Sequence, residues 1–291
     1  QLAAFITWLR LPAPNVRVIH PTTSKRSDRS INAALAAGTV FYKFHEQLGE
    51  LKELSLYQSQ LAIHQKYKPF LHHLGTTEDR QSRLLKVKVL QKLPVIVTSD
   101  EIKRVLDACY YLRDKFLVSL LYETGMRIGQ ALGLYHQDIK SFDNEVHIIP
   151  REDHVNHVRT KSYQVSCLHI NQVLMQCYVQ YVTTELTESA NQHYVFIALK
   201  GPHKGQPLRY TAIQNLFKRF SRVPERKITP HMLRHTHATE LIHAGWNMSL
   251  IQKRLGHKSI QTTVNTYIHI NNEEMKAAFK RYEEYQDDRK P

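Results

Sequence analysis

Apolar residues recur at helical spacing over much of the chain, and short polar or proline-rich stretches separate the recurring segments. Between residues 30 and 48, Ile31, Leu35, Phe41 and Phe44 fall at near-helical spacing, and residues 51–63 continue the same pattern. Three prolines and the polar stretch 22–28 interrupt the pattern before residue 30. We therefore expect a small all-helical domain at the start of the chain, with a first helix at residues 2–9.

From about residue 94 the pattern predicts a second, mostly helical domain. Thr98 and Ser99 precede Glu101 as helix-capping candidates, and the strongly apolar segment 114–122 predicts a buried helix that ends at Gly125. Two β-like segments flank a polar turn, which indicates a hairpin: residues 146–150 and 163–170. Further helical patterns occupy residues 171–185, 211–220, 232–243 and 249–255. The predicted fold is mainly α with a small antiparallel β-sheet.

The net positive charge of the chain indicates what kind of partner it binds. Lys and Arg outnumber Asp and Glu by 40 to 26, which gives a net charge of +14 over 291 residues. This balance favours a polyanionic partner, either nucleic acid or an anionic membrane surface. Between the two helical regions, five basic residues occur in thirteen positions without an acid: Arg80, Arg83, Lys86, Lys88 and Lys92. Residues 79–93 are therefore either a linker along a phosphate backbone or a solvated basic loop.

Several function classes lack sequence support. The longest apolar runs fall far short of the roughly 20 residues that a membrane span needs, and neither of the glycine-rich phosphate-loop motifs occurs. Three cysteines without a CxxC pair argue against a structural zinc site and for a reducing compartment, so we expect the cytoplasm. His231 and His235 lie four residues apart but lack the HExxH glutamate, and Arg234 lies between them, so we expect no catalytic metal and no cofactor.

Several motifs that lie far apart in the sequence together indicate chemistry on a phosphate group. Arg127 follows Gly125 at the end of the apolar helix, and about a hundred residues later Pro230 begins a helix that carries His231 and Arg234 three positions apart. Two guanidinium forks can bind the oxygens of one phosphate, and a histidine can move a proton. His257 and Tyr267 follow within about 35 residues. These residues suit attack by a phenol on a phosphodiester, although either arginine could instead pair with Asp138 or Glu240.

Taken in this order, the motifs resemble those of the tyrosine recombinases, the superfamily of phage and transposon integrases. The resemblance implies that Arg127 and Arg234 bind the nonbridging oxygens of the scissile phosphate, that His231 assists proton movement and that His257 donates a hydrogen bond to the phosphate. Tyr267 resembles the nucleophile, which would form a 3′-phosphotyrosine. Tyr282 and Tyr285 fit this role less well because they lack the preceding Thr-Thr pattern.

The family also uses a hairpin lysine as the acid that protonates the leaving 5′-oxygen. Lys161 is the best match, with Lys140 and Arg159 as alternatives. The sequence departs from the family at Gln130, where many members carry a carboxylate, so the support of Arg127 can differ. His257 and Tyr267 lie ten residues apart, as in many phage-type integrases.

The resemblance further implies a two-domain, C-shaped clamp around double-stranded DNA. We assign residues 1–78 to a truncated helical core-binding domain, residues 79–93 to the basic linker and residues 94–291 to the catalytic domain with a C-terminal helix. We expect a monomer in solution and a homotetramer in the synaptic complex, with the tail helix docking on a neighbouring protomer. Two alternatives stay open: a type IB topoisomerase-like enzyme and a non-catalytic DNA-binding accessory factor.

Overall fold

A computed structural model of the chain describes residues 2–11, 26–51, 57–59, 81–83, 86–89, 94–152, 154–158, 165–186 and 193–256. The chain divides into two compact units, Gln1–Lys92 and Leu93–Pro291. In the part that the structure describes, no helix is both long enough and apolar enough to cross a membrane.

The first unit contains two helices, α1 (Leu2–Arg10) and α2 (Asp28–Gln47). They pack through a small core of Leu9, Ile31 and Leu35. The Ser27 hydroxyl caps α2 by accepting a hydrogen bond from the Ser30 backbone amide at 3.2 Å. The helical pattern predicted at residues 2–9 and 30–48 is confirmed.

The prediction of an all-helical first domain is wrong at residues 57–59, and residues 52–56 and 60–63 lie outside the described part of the chain. Tyr57–Ser59 forms a strand, β1, that pairs antiparallel with β2 at Gln81–Arg83. Leucine-rich segments fit a helix or a strand when they are short. The partner that decides between the two lies more than twenty residues further along the chain and left no local signal.

Residues 86–89 follow β2 as an extended segment that binds α2. The Asn32 side chain donates to the Val87 carbonyl at 2.8 Å and accepts from the Val87 amide at 2.9 Å. The Asn32 carboxamide therefore satisfies both backbone groups of Val87, as a neighbouring β-strand would. Lys86 and Lys88 flank this contact and line an open cleft together with Arg29. Part of the predicted basic linker therefore belongs to the folded first unit.

The second unit is built around α4 (Leu112–Thr124), in which the apolar side chains from Phe116 to Leu121 are fully buried. Helices α6 (Gln172–Glu185) and α8 (Pro230–His243) pack directly against it. The unit begins with a capping box, in which the Thr98 hydroxyl accepts from the Glu101 amide and the Glu101 carboxylate accepts from the Thr98 amide. Its helices are α3 (Ser99–Asp107), α4 (Leu112–Thr124), α5 (Ile128–Leu132), α6 (Gln172–Glu185), α7 (Tyr210–Phe220), α8 (Pro230–His243) and α9 (Met248–Leu255).

A three-stranded antiparallel sheet covers one side of the unit. Its order is β3 (Ile139–Lys140), β4 (Glu145–Ile148) and β5 (Ser166–His169). The predicted hairpin corresponds to β4 and β5, whereas the two-residue β3 was missed because a strand of that length has no detectable alternation. The mainly α fold with a small antiparallel sheet is confirmed.

A buried ion pair between Asp138 and Arg151 holds the segment that follows β4 against the turn before β3. Asp138 lies in a 3₁₀ turn before β3 and is fully buried, and both of its oxygens accept hydrogen bonds from Arg151 at 2.6 and 2.8 Å. The Arg151 guanidinium also lies 4.0 Å from the centre of the Tyr135 ring. These contacts fix the position at which the loop leaves the sheet.

Candidate active site

Gly125 ends α4 with a left-handed backbone, at φ 62°. A side chain there would be strained, and its Cβ would lie only 2.8 Å from both His237 Cδ2 and Leu255 Cδ2. Glycine thus meets two separate requirements, a left-handed turn and close contact with α8 and α9. The turn places the Gly125 carbonyl and the next residues at the meeting point of three helices.

Arg127 lies two residues beyond this turn and precedes the first turn of α5. Its backbone amide donates to Gln130 Oε1 at 2.8 Å, and its Nη1 donates to the Gly256 carbonyl at 3.2 Å. The neutral Gln130 amide thus accepts the hydrogen bond that a carboxylate at this position could also accept. Partial burial lowers the pKa of Arg127, although an arginine stays charged at neutral pH.

Arg234 lies in α8, one turn after a Thr229 cap and Pro230 at the start of the helix. It is 3% exposed, and it donates to the Gly125 carbonyl and to the Leu255 carbonyl, both at 2.7 Å. Arg127 and Arg234 therefore bind the carbonyls of consecutive residues, Gly256 and Leu255. This arrangement brings together two arginines that are 107 positions apart in the sequence.

His231 lies at the same end of α8 as Arg234, and the charges of Arg234 and Arg127 both act on it. Partial burial, then the positive charges of Arg234 and Arg127, lower the pKa of His231 below its ordinary value. Its ring packs edge to face against His235 at a centroid distance of 4.4 Å. Burial and the neighbouring His231 and Arg234 lower the pKa of His235 to about 4. His231 is therefore mainly neutral at pH 7 and able to accept a proton.

The predicted set did not include Arg254, which lies in α9 and supports the same region. It donates from Nε to His237 Nε2 at 3.1 Å and from Nη2 to the Glu123 carbonyl at 3.2 Å and the His169 carbonyl at 3.3 Å. It thus ties α9 to α8, to α4 and to β5. Nothing in the sequence distinguishes this arginine from the other basic residues of α9.

The two acids considered as alternative partners for the arginines have other contacts. Asp138 binds Arg151 through both oxygens, and Glu240 accepts a hydrogen bond from the Tyr122 hydroxyl at 2.5 Å. Arg127 and Arg234 bind backbone carbonyls instead. A carbonyl does not neutralise a guanidinium, so these three hydrogen bonds are compatible with the binding of an anion.

Several predicted residues lie outside the described part of the chain. They include the hairpin lysine and the two last motif residues, and two basic positions of the linker: Lys161, His257, Tyr267, Arg80 and Lys92. The alternative acid Arg159 lies outside it as well, whereas Lys140 lies in β3. Arg83 lies in β2, and Lys86 and Lys88 line the cleft beside α2. The described residues thus bring together Arg127, His231 and Arg234.

Comparison with known proteins places the chain in a family. Residues 96–274 match the model of the phage integrase family. Transposase A from transposon Tn554 of Staphylococcus aureus is 38% identical over 290 residues, which are 99% of this chain and 80% of the transposase. Tyrosine recombinase XerD of Chlorobaculum tepidum is 26% identical over 82% of this chain and 79% of that protein.

Solved structures share the fold at lower identity. The Tn1549 transposon integrase in complex with transposon right end DNA superposes with a TM-score of 0.60 at 17% identity, covering 89% of this chain and 80% of that one. The XerA recombinase gives a TM-score of 0.53 at 21% identity, covering 89% of this chain and 77% of that one.

A mainly helical domain that gathers two arginines and a histidine at a helix junction is suited to phosphodiester chemistry. The chain belongs to the phage integrase family, within the tyrosine recombinase superfamily. It is a site-specific recombinase that cuts and rejoins DNA, and the class predicted from the motifs is confirmed.

Proposed function

We propose that this recombinase moves a DNA element by cutting and rejoining strands through a 3′-phosphotyrosine at Tyr267. The convergence of Arg127, His231 and Arg234 from two separate motifs carries the proposal. The similarity to Transposase A over nearly the whole chain supports the link to a mobile element.

The arginines act on the charge of the scissile phosphate. Arg234 is held by two carbonyls and Arg127 by one, so the two guanidinium groups need little reorganisation when the phosphate arrives. Fixed donors of this kind stabilise a pentavalent transition state more than they stabilise the substrate, and removing one such donor typically costs about 100- to 1000-fold in rate.

Proton movements complete the reaction. The Tyr267 oxygen attacks phosphorus and the bond from phosphorus to the 5′-oxygen breaks, so the phenol loses a proton and the leaving oxygen gains one. His231 is suited to accept the first proton because its lowered pKa keeps it neutral. Lys161 donates the second proton, and His257 donates a hydrogen bond to the phosphate. Rejoining reverses these steps without a nucleotide cofactor or a metal.

The chain acts on double-stranded DNA as a two-domain, C-shaped clamp. The core-binding domain comprises residues 1–78 together with the part of the predicted linker that belongs to the first unit, the remainder of residues 79–93 connects the domains, and residues 94–291 form the catalytic domain. Lys86 and Lys88 lie beside Arg29 in an open cleft, where they can contact phosphates. Replacing Lys86 and Lys88 with glutamine should weaken DNA binding and lower the salt dependence of log K by about 0.9 per lost phosphate contact.

The working assembly is a tetramer formed on two duplexes from chains that are monomers in solution, acting in the cytoplasm. The C-terminal segment supplies the contact between protomers. Deleting residues 272–291 should therefore preserve the binding of single protomers to DNA and weaken assembly. Unchanged tetramer formation by the truncated chain would contradict this role.

Covalent trapping tests the proposal directly. Wild type and Tyr267→Phe are incubated without added metal with an end-labelled duplex that carries a verified binding site and a nick near the scissile position. We expect a protease-sensitive shifted band on a denaturing gel for wild type and none for Tyr267→Phe. Tyr282→Phe is the matched control and should retain the band.

Covalent trapping together with a plasmid-relaxation assay separates the alternatives, neither of which the relatives favour. Relaxation of supercoiled DNA without any special site would indicate topoisomerase-like activity. DNA binding without any covalent band would indicate an accessory factor. Loss of the band in Tyr282→Phe but not in Tyr267→Phe would move the nucleophile to the tail.

A further inference from the structure

Four metal-binding side chains lie on the outer face of the hairpin formed by β4 and β5. Strand β4 carries Glu145 and His147, and strand β5 carries Cys167 and His169. Residues two apart in a strand point to the same face. The intervening residues Val146 and Leu168 are buried in the core, so the four polar side chains point away from it.

The strand register places the four residues in two adjacent pairs. Glu145 lies directly opposite His169, and His147 lies directly opposite Cys167. Side chains in directly opposed positions have Cβ atoms about 4.5 to 5.5 Å apart, within reach of a shared ligand. No other pairing register of the hairpin would gather all four, because a one-residue shift moves one strand's set to the other face.

The side chains already approach one another around the Glu145 carboxylate. His147 Nε2 lies 2.8 Å from one oxygen and His169 Nδ1 lies 3.3 Å from the other. The Cys167 thiol is a third partner of this carboxylate. One ligand atom from each of Glu145, His147 and Cys167 lies within 4.8 Å of the other two.

We propose that Glu145, His147, Cys167 and His169 bind one Zn²⁺ ion on the outer face of the hairpin. Bonds of about 2.0 to 2.3 Å put the ligand atoms of a tetrahedral zinc roughly 3.3 to 3.8 Å apart. His147 Nε2 and the Glu145 oxygen at 2.8 Å would separate slightly, and the ligand atoms that lie up to 4.8 Å apart would close by about 1 Å. The His169 side chain is 75% exposed and has room to turn toward the ion.

The charge and the chemistry of the four ligands match this ion. One thiolate and one carboxylate balance the two positive charges of zinc, and two neutral imidazoles complete a four-coordinate shell. Binding converts the Cys167 thiol to a thiolate, and its proton goes to solvent. Hard cations such as Mg²⁺ are not expected to bind, because they prefer oxygen ligands only.

The ion would join β4 to β5 at the base of the loop that contains Lys161. It would also lie beside the His169 carbonyl, which accepts a hydrogen bond from Arg254. The role is structural and separate from the metal-independent strand transfer proposed above. Its test therefore requires no DNA and no cleavage activity.

Cobalt substitution tests the proposal on the full chain. After treatment with a chelator, the protein is titrated with Co²⁺, which gives visible bands in a tetrahedral site and a near-ultraviolet charge-transfer band when a thiolate binds. We expect saturation at one ion per chain with both bands and displacement by Zn²⁺. Cys167→Ala should lose the charge-transfer band, and Cys177→Ala, which changes a half-buried cysteine of α6, should retain it.

Thermal unfolding gives a second readout. Stoichiometric Zn²⁺ should raise the melting temperature of wild type and of Cys177→Ala but not that of Cys167→Ala. Absence of the thiolate band in the folded wild type would overturn the proposal, as would a band that persists in Cys167→Ala. Binding that needs many ions per chain would indicate adventitious sites on the 18 histidines and would also overturn it.

Discussion

Replacing Gly125 with alanine should lower the free energy of unfolding for two reasons, backbone strain and steric overlap at the junction of α4, α8 and α9. The left-handed backbone at φ 62° is expected to cost about 1 to 2 kcal/mol with a side chain present. The new methyl group would also lie 2.8 Å from side-chain atoms of His237 and Leu255. Overpacking of this kind costs about 1 to 3 kcal/mol, so we expect a total loss of about 2 to 5 kcal/mol.

Neither neighbour can move away without loss. His237 is 6% exposed and its ring is bound by Arg254, and Leu255 is 2% exposed within a small apolar cluster. The backbone of Leu255 also accepts a hydrogen bond from Arg234. Relief of the overlap would therefore displace the carbonyls that hold the arginine, and strand cleavage should fall together with stability.

Gly245 provides the matched control. It has a similar backbone, at φ 77°, but a Cβ built there meets nothing within 4 Å. Gly245→Ala should therefore cost only about 1 to 2 kcal/mol. Urea unfolding followed by circular dichroism measures both losses, and covalent trapping measures cleavage. Equal losses in the two variants, or full cleavage by Gly125→Ala, would refute the argument that close packing at this turn positions the arginines.

Three further substitutions test separate parts of the structure. Arg127→Lys should leave the free energy of unfolding in urea within about 1 kcal/mol of wild type. It should slow covalent trapping about 100-fold, because a lysine lacks the second N–H donor of the guanidinium fork. Trapping at the wild-type rate would contradict the proposed role of Arg127. Asp138→Ala leaves Arg151 without its buried partner and should lower the unfolding free energy by about 3 to 5 kcal/mol, and a loss below about 1 kcal/mol would contradict that. The Arg226 guanidinium lowers the pKa of Glu101 to about 2, below the unfolded value of about 4.3, so this carboxylate stabilises the fold above pH 4.3 and loses the effect as the pH falls toward 2. The stability difference between wild type and Glu101→Gln should therefore shrink between about pH 5 and pH 2, and a constant difference would exclude this linkage.

Much of the second unit could be predicted because local signals and packing agree there. The apolar run within α4 and the glycine that ends the helix identify a buried helix and its limit. The Thr98 cap fixes the start of α3. In contrast, β1 depends on pairing with a distant strand, and its own residues carry no alternation that distinguishes it from a helix.

In the candidate site, too, some features could be predicted from the sequence and others depend on the folded structure. Motif order predicts Arg127, His231 and Arg234 as site residues because the chemistry requires particular side chains. The groups that hold the arginines are the carbonyls of Gly125, Leu255 and Gly256, and a backbone carbonyl is present in every residue. The Glu145 and Cys167 cluster depends on strand register, which the hairpin prediction did not specify.

The left-handed ends of α4 and α9 have an electrostatic consequence. Arg234 binds carbonyls at the C-terminal ends of both helices, and Arg127 binds the carbonyl of Gly256, which caps α9. The C-terminus of a helix carries a partial negative charge equivalent to roughly half an electron. Two helix dipoles therefore offset part of the mutual repulsion of the guanidinium groups, so the arginines can stay assembled at the junction as a preformed anion receptor.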